Sequence, residues 1–247
     1  TFLQSIPNDA IPQRLINCIT DPSSYGRGVE PERKLPIRAS LVDEPWQTAC
    51  SLVSHLRIAS LENDGLSMLS LPRRYVWINT VKDVLQLEHI LSYEKLVSVD
   101  SEWCTHGTVS TLQVAVEDRA WVVDLLPTDD VYRTTCRHLI QSLFRTSLVL
   151  GFSIGHDIPK LEAFLLDEPI PLENCLDLQL LWCSPQMPSL KACVSGFTNV
   201  QLAKEQQGSE WSRRPLTEMQ LEYAALDAVI LAYLLAEKDR CSESATP

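Results

Sequence analysis

Two carboxylates two positions apart follow an apolar stretch of the chain, in Leu96-Val-Ser-Val-Asp-Ser-Glu-Trp103. The apolar part contains β-branched residues and predicts a buried strand. Residues i and i+2 of a strand point to the same side, so Asp100 and Glu102 would project together from its end. Two like charges held that close need a bound cation or a raised pKa to coexist. Taken alone, the pair is equally consistent with two solvated acids in a loop.

A third candidate carboxylate lies on the last predicted helix, over residues 217–238. Thr217 and Gln220 form a capping box at its start. Asp227 follows Tyr223 by one turn and lies next to an apolar face, where a carboxylate is costly unless it is paired or bound to a metal. The alternative is that Asp227 lies at the edge of this face and Tyr223 is an ordinary core residue. The residues predicted to form the face toward the core are Met219, Tyr223, Leu226, Ile230 and Tyr233.

A fourth candidate, Asp157, follows a strand and a glycine-containing turn in Val149-Leu-Gly-Phe-Ser-Ile-Gly-His-Asp-Ile-Pro-Lys-Leu161. It stands near the start of a predicted helix, where the helix dipole favours an anion. As an isolated signal, such an aspartate is more often a helix cap than a metal ligand.

Around these residues, the apolar patterns alternate between strand-like and helix-like. The runs on either side of residues 117–119 predict an antiparallel hairpin, and later strands are separated by helices. We therefore predict an α/β fold with a mixed, mainly five-stranded sheet flanked by helices. The predicted strands are 75–78, 96–100, 110–116, 120–125 and 147–152, and the predicted helices are 81–91 (capped by Thr80), 131–144, 157–166, 175–181, 189–194 and 217–238.

The chain divides into three parts by sequence pattern. Prolines interrupt residues 1–72, which predicts an irregular, partly helical N-terminal extension. Within it, we expect a short helix over 10–19 and a longer one that starts at Glu44-Pro45 and continues to Ile58. Residues 73–240 would form the main domain, and 241–247 a flexible tail.

The charge and cysteine content restrict the classes of function. The chain carries 32 acidic against 21 basic residues, a net charge of −11, which argues against broad binding to duplex nucleic acid. A narrow site, where metals and a few basic residues handle phosphates, stays possible. The eight cysteines show no zinc-type spacing and are typical of reduced thiols in an intracellular protein, cytoplasmic or nuclear. We find no apolar run of about 18 residues, and we expect no membrane contact.

Taken together, the acidic segments resemble the three motifs of the DEDD 3′–5′ exonucleases, tyrosine subtype. The matching segments are Asp100-Ser-Glu102, Gly151-Phe-Ser-Ile-Gly-His-Asp157 and Tyr223-Ala-Ala-Leu-Asp227. Cys175-Leu-Asp-Leu-Gln179 and the block from Ser209 to Ala228 are similar to the ribonuclease D and Werner-exonuclease branch, and most similar to Nibbler/mutator-type exonuclease domains. Relatives often carry a polar residue such as Asn shortly before the second-motif aspartate, where Ser153 or His156 stands in this chain.

The resemblance covers residues 75–238 and implies a ribonuclease H-like exonuclease fold with a two-metal site. Asp100 and Asp227 would hold the ion that activates a water, and Glu102 would help to position that water and also ligate metal. Asp157 would hold the second ion, directly or through a water. Tyr223 would orient the attacking water. The cofactors would be two divalent cations, Mg²⁺ or Mn²⁺, which prefer carboxylate ligands.

The expected substrate is single-stranded nucleic acid, RNA rather than DNA, trimmed from its 3′ end. Two alternatives are a 3′–5′ DNA exonuclease and a catalytically weak scaffold or binding module, with the N-terminal extension as a partner surface. As walls near the terminal base we name Trp103, His106 and Leu112, and as phosphate contacts Lys160, Lys204, Arg213 and Arg214. Each of these could instead be a core residue or a solvated charge.

Overall fold

The computed structural model describes residues 44–57, 75–182, 188–197, 202 and 205–243. Within them, six strands form one sheet, with helices packed on both faces. The strands are β1 Tyr75–Ile78, β2 Leu96–Trp103, β3 Val109–Val116, β4 Arg119–Asp124, β5 Leu148–Gly151 and β6 Cys175–Asp177. The α-helices are α1 Glu44–Val53, α2 Val81–Leu91, α3 Asp130–Thr146, α4 Ile158–Phe164, α5 Leu190–Phe197 and α6 Glu218–Glu243.

The sheet has the strand order β1-β4-β3-β2-β5-β6. β2, β3 and β4 form an antiparallel meander, whereas β1 pairs parallel to β4 and β5 parallel to β2. The α/β class, the mixed sheet and the hairpin are confirmed. The predicted helix over 175–181 is wrong in its first part, because Cys175–Asp177 pairs in parallel with β5 as a sixth strand. Only the 3₁₀ turn Leu178–Leu181 is helical there.

Each face of the sheet covers its own hydrophobic core. On one face, Val97, Val99 and Leu112 pack with residues of α2, α3 and α4. On the other, small and branched residues of α6 pack over β3, β4 and β5, together with Trp46 and Cys50 of α1. The helix predicted to start at Glu44 is thus confirmed, but it ends at Val53, and Ile58 lies outside the described residues.

Helix α6 is the element that lies over the centre of the sheet. Its capping box is formed as predicted: the Gln220 amide donates to Thr217 Oγ1 (3.2 Å), and the Thr217 amide to Gln220 Oε1 (3.0 Å). Met219 is 57% exposed, contrary to the prediction, since it lies in the first turn before the helix reaches the core. The helix continues to Glu243, so the first three residues of the segment 241–247 are helical.

The length and composition of α6 would also permit a membrane span. The segment Glu218–Ser242 has a mean hydropathy of 1.4 over its most apolar window, and 78% of that window is buried within the protein. Its apolar residues pack on the sheet and on α1. A helix that is mostly buried in this way is a core helix of the domain.

Candidate active site

The first two acids lie on β2, between β3 and β5. Asp100 is paired in register with Gln113 of β3, and Glu102 with Thr111. Both carboxylates point to the face covered by α6, because Val97 and Val99 point to the other face and side chains alternate along a strand. The strand continues through both acids to Trp103, three residues beyond its predicted end. Asp100 and Glu102 are therefore held by a paired strand rather than by a loop.

The third acid is brought to the same place by α6. Carboxylate oxygens of Asp100, Glu102 and Asp227 all lie within 4.8 Å of one another. Alanines flank Asp227 on the buried side of the helix: Ala224 and Ala228 have no exposed surface. Such small side chains permit a close approach of the helix to the sheet. The carboxylate thereby reaches the end of β2.

Tyr223, one turn before Asp227, lies at the edge of this acidic group. Tyr223 is 9% exposed, and its phenol lies beside the Asp227 carboxylate, within hydrogen-bonding reach. Burial, with the neighbouring Asp227, raises the pKa of Tyr223 far above its ordinary value. The phenol therefore keeps its proton at neutral pH and serves as a hydrogen-bond donor.

Asp157 approaches the group from the other side of β2. It is 4% exposed and stands at the start of α4, whose apolar residues belong to the core opposite α6. Its carboxylate accepts a hydrogen bond from Ser101 Oγ at 2.6 Å. It lies close enough to Asp100 to raise the pKa of that group by repulsion. The structure thus brings all four predicted acids together.

Burial and mutual repulsion raise the pKa values of these carboxyl groups. For Asp100, burial acts first, followed by the charges of Asp157, Asp227 and Glu102, and its pKa rises well above the ordinary value. For Glu102, burial and then Asp227 and Asp157 raise the pKa to about 9. Burial also raises the pKa of Asp157, opposed by the Ser101 hydrogen bond. A hard divalent cation would reverse these shifts, because it favours the ionised form of each ligand. The donor set of clustered carboxylates fits such a cation.

A cavity of about 400 Å³ opens onto the acids. Tyr223 and the four acids line it, and on one side it is bordered by Trp103 and His156. Towards β6 and α5, the lining changes to uncharged side chains: Phe152, Ser153, Gln179, Ser189, Leu190, Leu202 and Gln207. An acidic end with aromatic walls is compatible with a phosphodiester and its adjoining base.

Of the predicted substrate contacts, Trp103 and Lys160 lie beside this cavity. Trp103 is 37% exposed and lines the wall. Lys160 Nζ lies 3.8 Å from the centre of the Trp103 ring and donates to the His156 carbonyl oxygen at 2.5 Å. The two side chains form a cation–π pair at the rim.

Leu112 is not a wall of the cavity, contrary to the prediction. It has no exposed surface and packs in the core on the face away from the acids. The reason is register: Leu112 is paired with Ser101, whose neighbours on β2 carry the carboxylates on the opposite face. His106 and Arg213 are exposed and do not line the cavity. Lys204 lies outside the described residues.

Arg214 is partly buried and is engaged in a structural ion pair rather than at the cavity. Its guanidinium forms a two-point ion pair with Asp124, at 2.7 and 2.9 Å, and donates to the Trp211 carbonyl oxygen at 2.9 Å. Trp211 is buried, and its ring packs at 6.3 Å from that of Tyr223. The expected phosphate contact is therefore replaced by a structural one. The guanidinium supports the segment that packs against Tyr223.

Asp177, which the sequence analysis quoted in a family-like segment without assigning it a role, supports the turn between β5 and Asp157. This buried carboxylate accepts the Ser153 amide at 2.8 Å and the Gln179 amide at 3.1 Å. Ser153 has a left-handed backbone (φ 57°). A side chain at Gly151 would bring a Cβ within 2.6 Å of Ile154. The signal that could have identified it was its place in the segment Cys175-Leu-Asp-Leu-Gln179, which resembles the ribonuclease D branch.

The comparisons with known proteins concern most of the described domain. Residues 75–237 match a family model described as 3′–5′ exonuclease. The "Exonuclease mut-7 homolog" of Homo sapiens is 28% identical over 235 residues, covering 81% of this chain and 27% of that protein. Its Drosophila melanogaster counterpart is 26% identical over 178 residues, covering 61% and 28%. The chain thus spans about a quarter of the length of these relatives.

Solved structures share the fold. The Nibbler EXO domain of Aedes aegypti superposes with a TM-score of 0.63 at 23% identity, covering 70% of this chain and 90% of that one. RNase D of Escherichia coli has a TM-score of 0.55 at 21% identity, covering 70% and 48%. At this level of identity, the likeness concerns the arrangement of helices and strands.

Proposed function

This chain belongs to the 3′–5′ exonuclease family, and we propose that it removes nucleotides from the 3′ end of single-stranded RNA by a two-metal mechanism. One observation carries the proposal: four acids and a tyrosine from β2, α6 and the start of α4 meet at one cavity, and three of the carboxylates have oxygens within 4.8 Å of one another. Carboxylates held this close repel one another, so they need a bound cation or raised pKa values to coexist.

The acids would divide between two cations. Asp100 and Asp227 would hold the first, with Glu102 positioning the attacking water, and Asp157 would hold the second beside Asp100. Two divalent cations held in this way lower the pKa of a water and stabilise charge on the leaving oxygen. Magnesium and manganese suit such oxygen ligands.

Tyr223 would orient the attacking water by hydrogen bonding. Its pKa is raised and the phenol lies within hydrogen-bonding reach of Asp227, so it is poorly suited to act as a base at neutral pH. A fixed phenol can instead direct the water toward the phosphorus in line with the leaving oxygen. The buried Trp211 ring beside it restricts its movement.

Trp103 and Lys160 would contact the strand. An aromatic ring at the rim offers a stacking surface to any base, which suits recognition of single strands without a sequence preference. The Lys160 ammonium next to it would lie near a phosphate. The net charge of −11 is unfavourable for duplex binding and less so for one strand end held by cations.

RNA is preferred over DNA on the basis of the related structures. The E. coli neighbour is described as an exoribonuclease involved in structured RNA processing. RNase D of Trypanosoma brucei, with a TM-score of 0.53 at 17% identity, was solved in complex with RNA U12. We extend this substrate class to the present chain, with residues 73–240 as the exonuclease domain, 1–72 as an extension open to a protein partner, and an intracellular location.

The test is digestion of single-stranded RNA and DNA of equal sequence. Strands labelled at the 5′ end should shorten as a ladder, and strands labelled at the 3′ end should release the label first, with Mg²⁺ or Mn²⁺ but not with EDTA. Asp100→Asn should abolish the shortening, whereas Glu173→Gln, at an exposed acid outside the cavity, should not.

Each alternative has its own outcome in the same assay. Faster digestion of DNA than of RNA would contradict the RNA substrate and favour a 3′–5′ DNA exonuclease. Binding of either strand without shortening, or equal digestion by Asp100→Asn, would contradict the enzyme and favour a binding module. The acidic net charge is the observation that favours a binding module that does not cleave nucleic acid.

A further inference from the structure

Ser101 lies between the two acids of β2 and points away from both. It is 3% exposed and occupies the face of the sheet that carries α4, as its register partner Leu112 does. From this face, its hydroxyl reaches Asp157, 56 positions later in the chain, at 2.6 Å. One strand therefore presents two carboxylates on one side and a hydrogen-bond donor for a third on the other.

The side chain of Asp157 is not oriented by its own helix. Asp157 is the N-cap residue of α4, yet its carboxylate accepts no hydrogen bond from the first amides of that helix. Its backbone has helical angles (φ −87°, ψ −40°) instead of the extended ones of an ordinary cap. The expected use of this aspartate as a helix cap is therefore not realised, and the carboxylate is available to other partners.

We propose that Ser101 is a positioning residue for Asp157 and so for the second cation. The proposal rests on the two-metal function proposed above. An ionised carboxylate has about four acceptor positions, and a hydroxyl that occupies one of them restricts rotation about the side-chain bonds. The remaining positions stay free for a cation. Outer partners of this kind typically raise metal affinity by about 10–100-fold.

The Ser101 hydroxyl is held in place more firmly than the other polar side chain near Asp157. The Lys160 ammonium lies over the Trp103 ring at the rim of the cavity. Ser101 is fixed in a paired strand, so its donor stays in place before a cation arrives.

The test compares three single substitutions in β2. Ser101→Ala removes the hydroxyl, and Ser101→Thr retains it on a residue suited to a strand. Ser98→Ala is the matched control, since Ser98 is 2% exposed in the same strand but points to the other face. Mn²⁺ binding is measured by electron paramagnetic resonance and calorimetry, alongside thermal unfolding without metal and kcat and KM on single-stranded RNA.

Ser101→Ala should weaken the binding of one of two Mn²⁺ ions by about 10–100-fold and leave the other nearly unchanged. The kcat of Ser101→Ala should fall at limiting Mn²⁺ and recover at high Mn²⁺. Its KM for RNA should stay within about twofold of that of the unsubstituted protein. Ser101→Thr and Ser98→Ala should bind both ions like the unsubstituted protein. Equal Mn²⁺ affinities for Ser101→Ala and the unsubstituted protein would overturn the proposal.

Failure of the exonuclease function would be recognised separately. A protein that digests no strand but loses the affinity for one Mn²⁺ on Ser101→Ala would retain the positioning role and lose the proposed reaction. A protein that digests RNA and binds both ions equally well after Ser101→Ala would retain the reaction and lose the positioning role. If Ser101→Thr fails to fold, as seen by thermal unfolding, the comparison of Ser101→Ala with Ser98→Ala still decides.

Discussion

The acids of the site are held by two different kinds of structure. Asp100, Glu102 and Asp227 lie on a paired strand and a long helix, whose backbone hydrogen bonds determine where each side chain points. Asp157 follows a short turn, and its position depends on individual side-chain contacts from Ser101 and Asp177. Regular elements therefore tolerate substitutions around the acids, whereas the turn should be sensitive to single supporting residues.

The largest expected effect comes from removing the carboxylates themselves, and metal binding should distinguish the acids on regular elements from Asp157. Asp100→Asn and Asp157→Asn should each lower kcat by at least about a thousand-fold, as the loss of a principal catalytic group does. Asp100→Asn should weaken the binding of both Mn²⁺ ions, because Asp100 lies close to Glu102 and Asp227 as well as to Asp157. Asp157→Asn should weaken the binding of only one ion. Calorimetric titration with Mn²⁺ measures the affinity for each ion. An identical loss of Mn²⁺ affinity in the two variants would contradict this division of the acids.

A substitution at Asp177 tests the support of the turn. Asp177→Ala removes the acceptor for the Ser153 and Gln179 amides, and we expect it to lower the free energy of unfolding by about 1–3 kcal/mol. It should also lower kcat by about tenfold, since the chain leading to Asp157 is released. Urea unfolding and turnover measure the two effects.

Ser153→Gly is the matched substitution within the same turn. Glycine adopts the left-handed backbone of Ser153 without a steric cost, so it should restore part of the stability in the double variant with Asp177→Ala. Full activity in Asp177→Ala alone would show that the turn needs no such support.

A more gradual effect, of order 1 kcal/mol per pH unit, concerns the stability of the metal-free protein. The pKa of Glu102 is about 9 in the folded state, raised mainly by burial, against about 4.3 in an unfolded chain. Between these values, the folded state binds more protons than the unfolded state. Stability should therefore be greatest below about pH 4.3 for this group and decline as the pH rises towards 9.

Thermal unfolding between pH 5 and pH 8 in EDTA measures this decline. Mn²⁺ should flatten or reverse it, because a cation favours the ionised carboxylates. Glu102→Gln should reduce the slope in EDTA, while Glu173→Gln should leave it unchanged. A slope that is the same with and without Mn²⁺ would contradict a cation site at these acids.

Much of the fold was predictable because periodicity reports which residues are buried. The strand-like run before Asp100, the hairpin around residues 117–119 and the capping box at Thr217 appear in the structure as predicted. The short strand Cys175–Asp177 was not, because three residues have too little periodicity to separate a strand from a helix. Its identity as a strand comes from pairing with β5.

The substrate contacts show the limit of residue type as a guide. Arg214 has the charge expected for a phosphate contact, but its guanidinium pairs with Asp124, 90 positions away. Leu112 has the size of a cavity wall, but its register places it on the other face of the sheet. Neither the ion pair of Arg214 nor the register of Leu112 can be predicted from the local sequence.

The sequence by itself determined the types and spacings of the four acids, and with them the expectation that Asp100 and Glu102 share one side of a strand. Only the tertiary structure decided that Asp227 brings an oxygen within 4.8 Å of both, and that Ser101 turns to Asp157 rather than to its neighbours. The physical reason is that local periodicity determines the side from which a residue projects, whereas the partner it meets depends on chain segments that pack against that side.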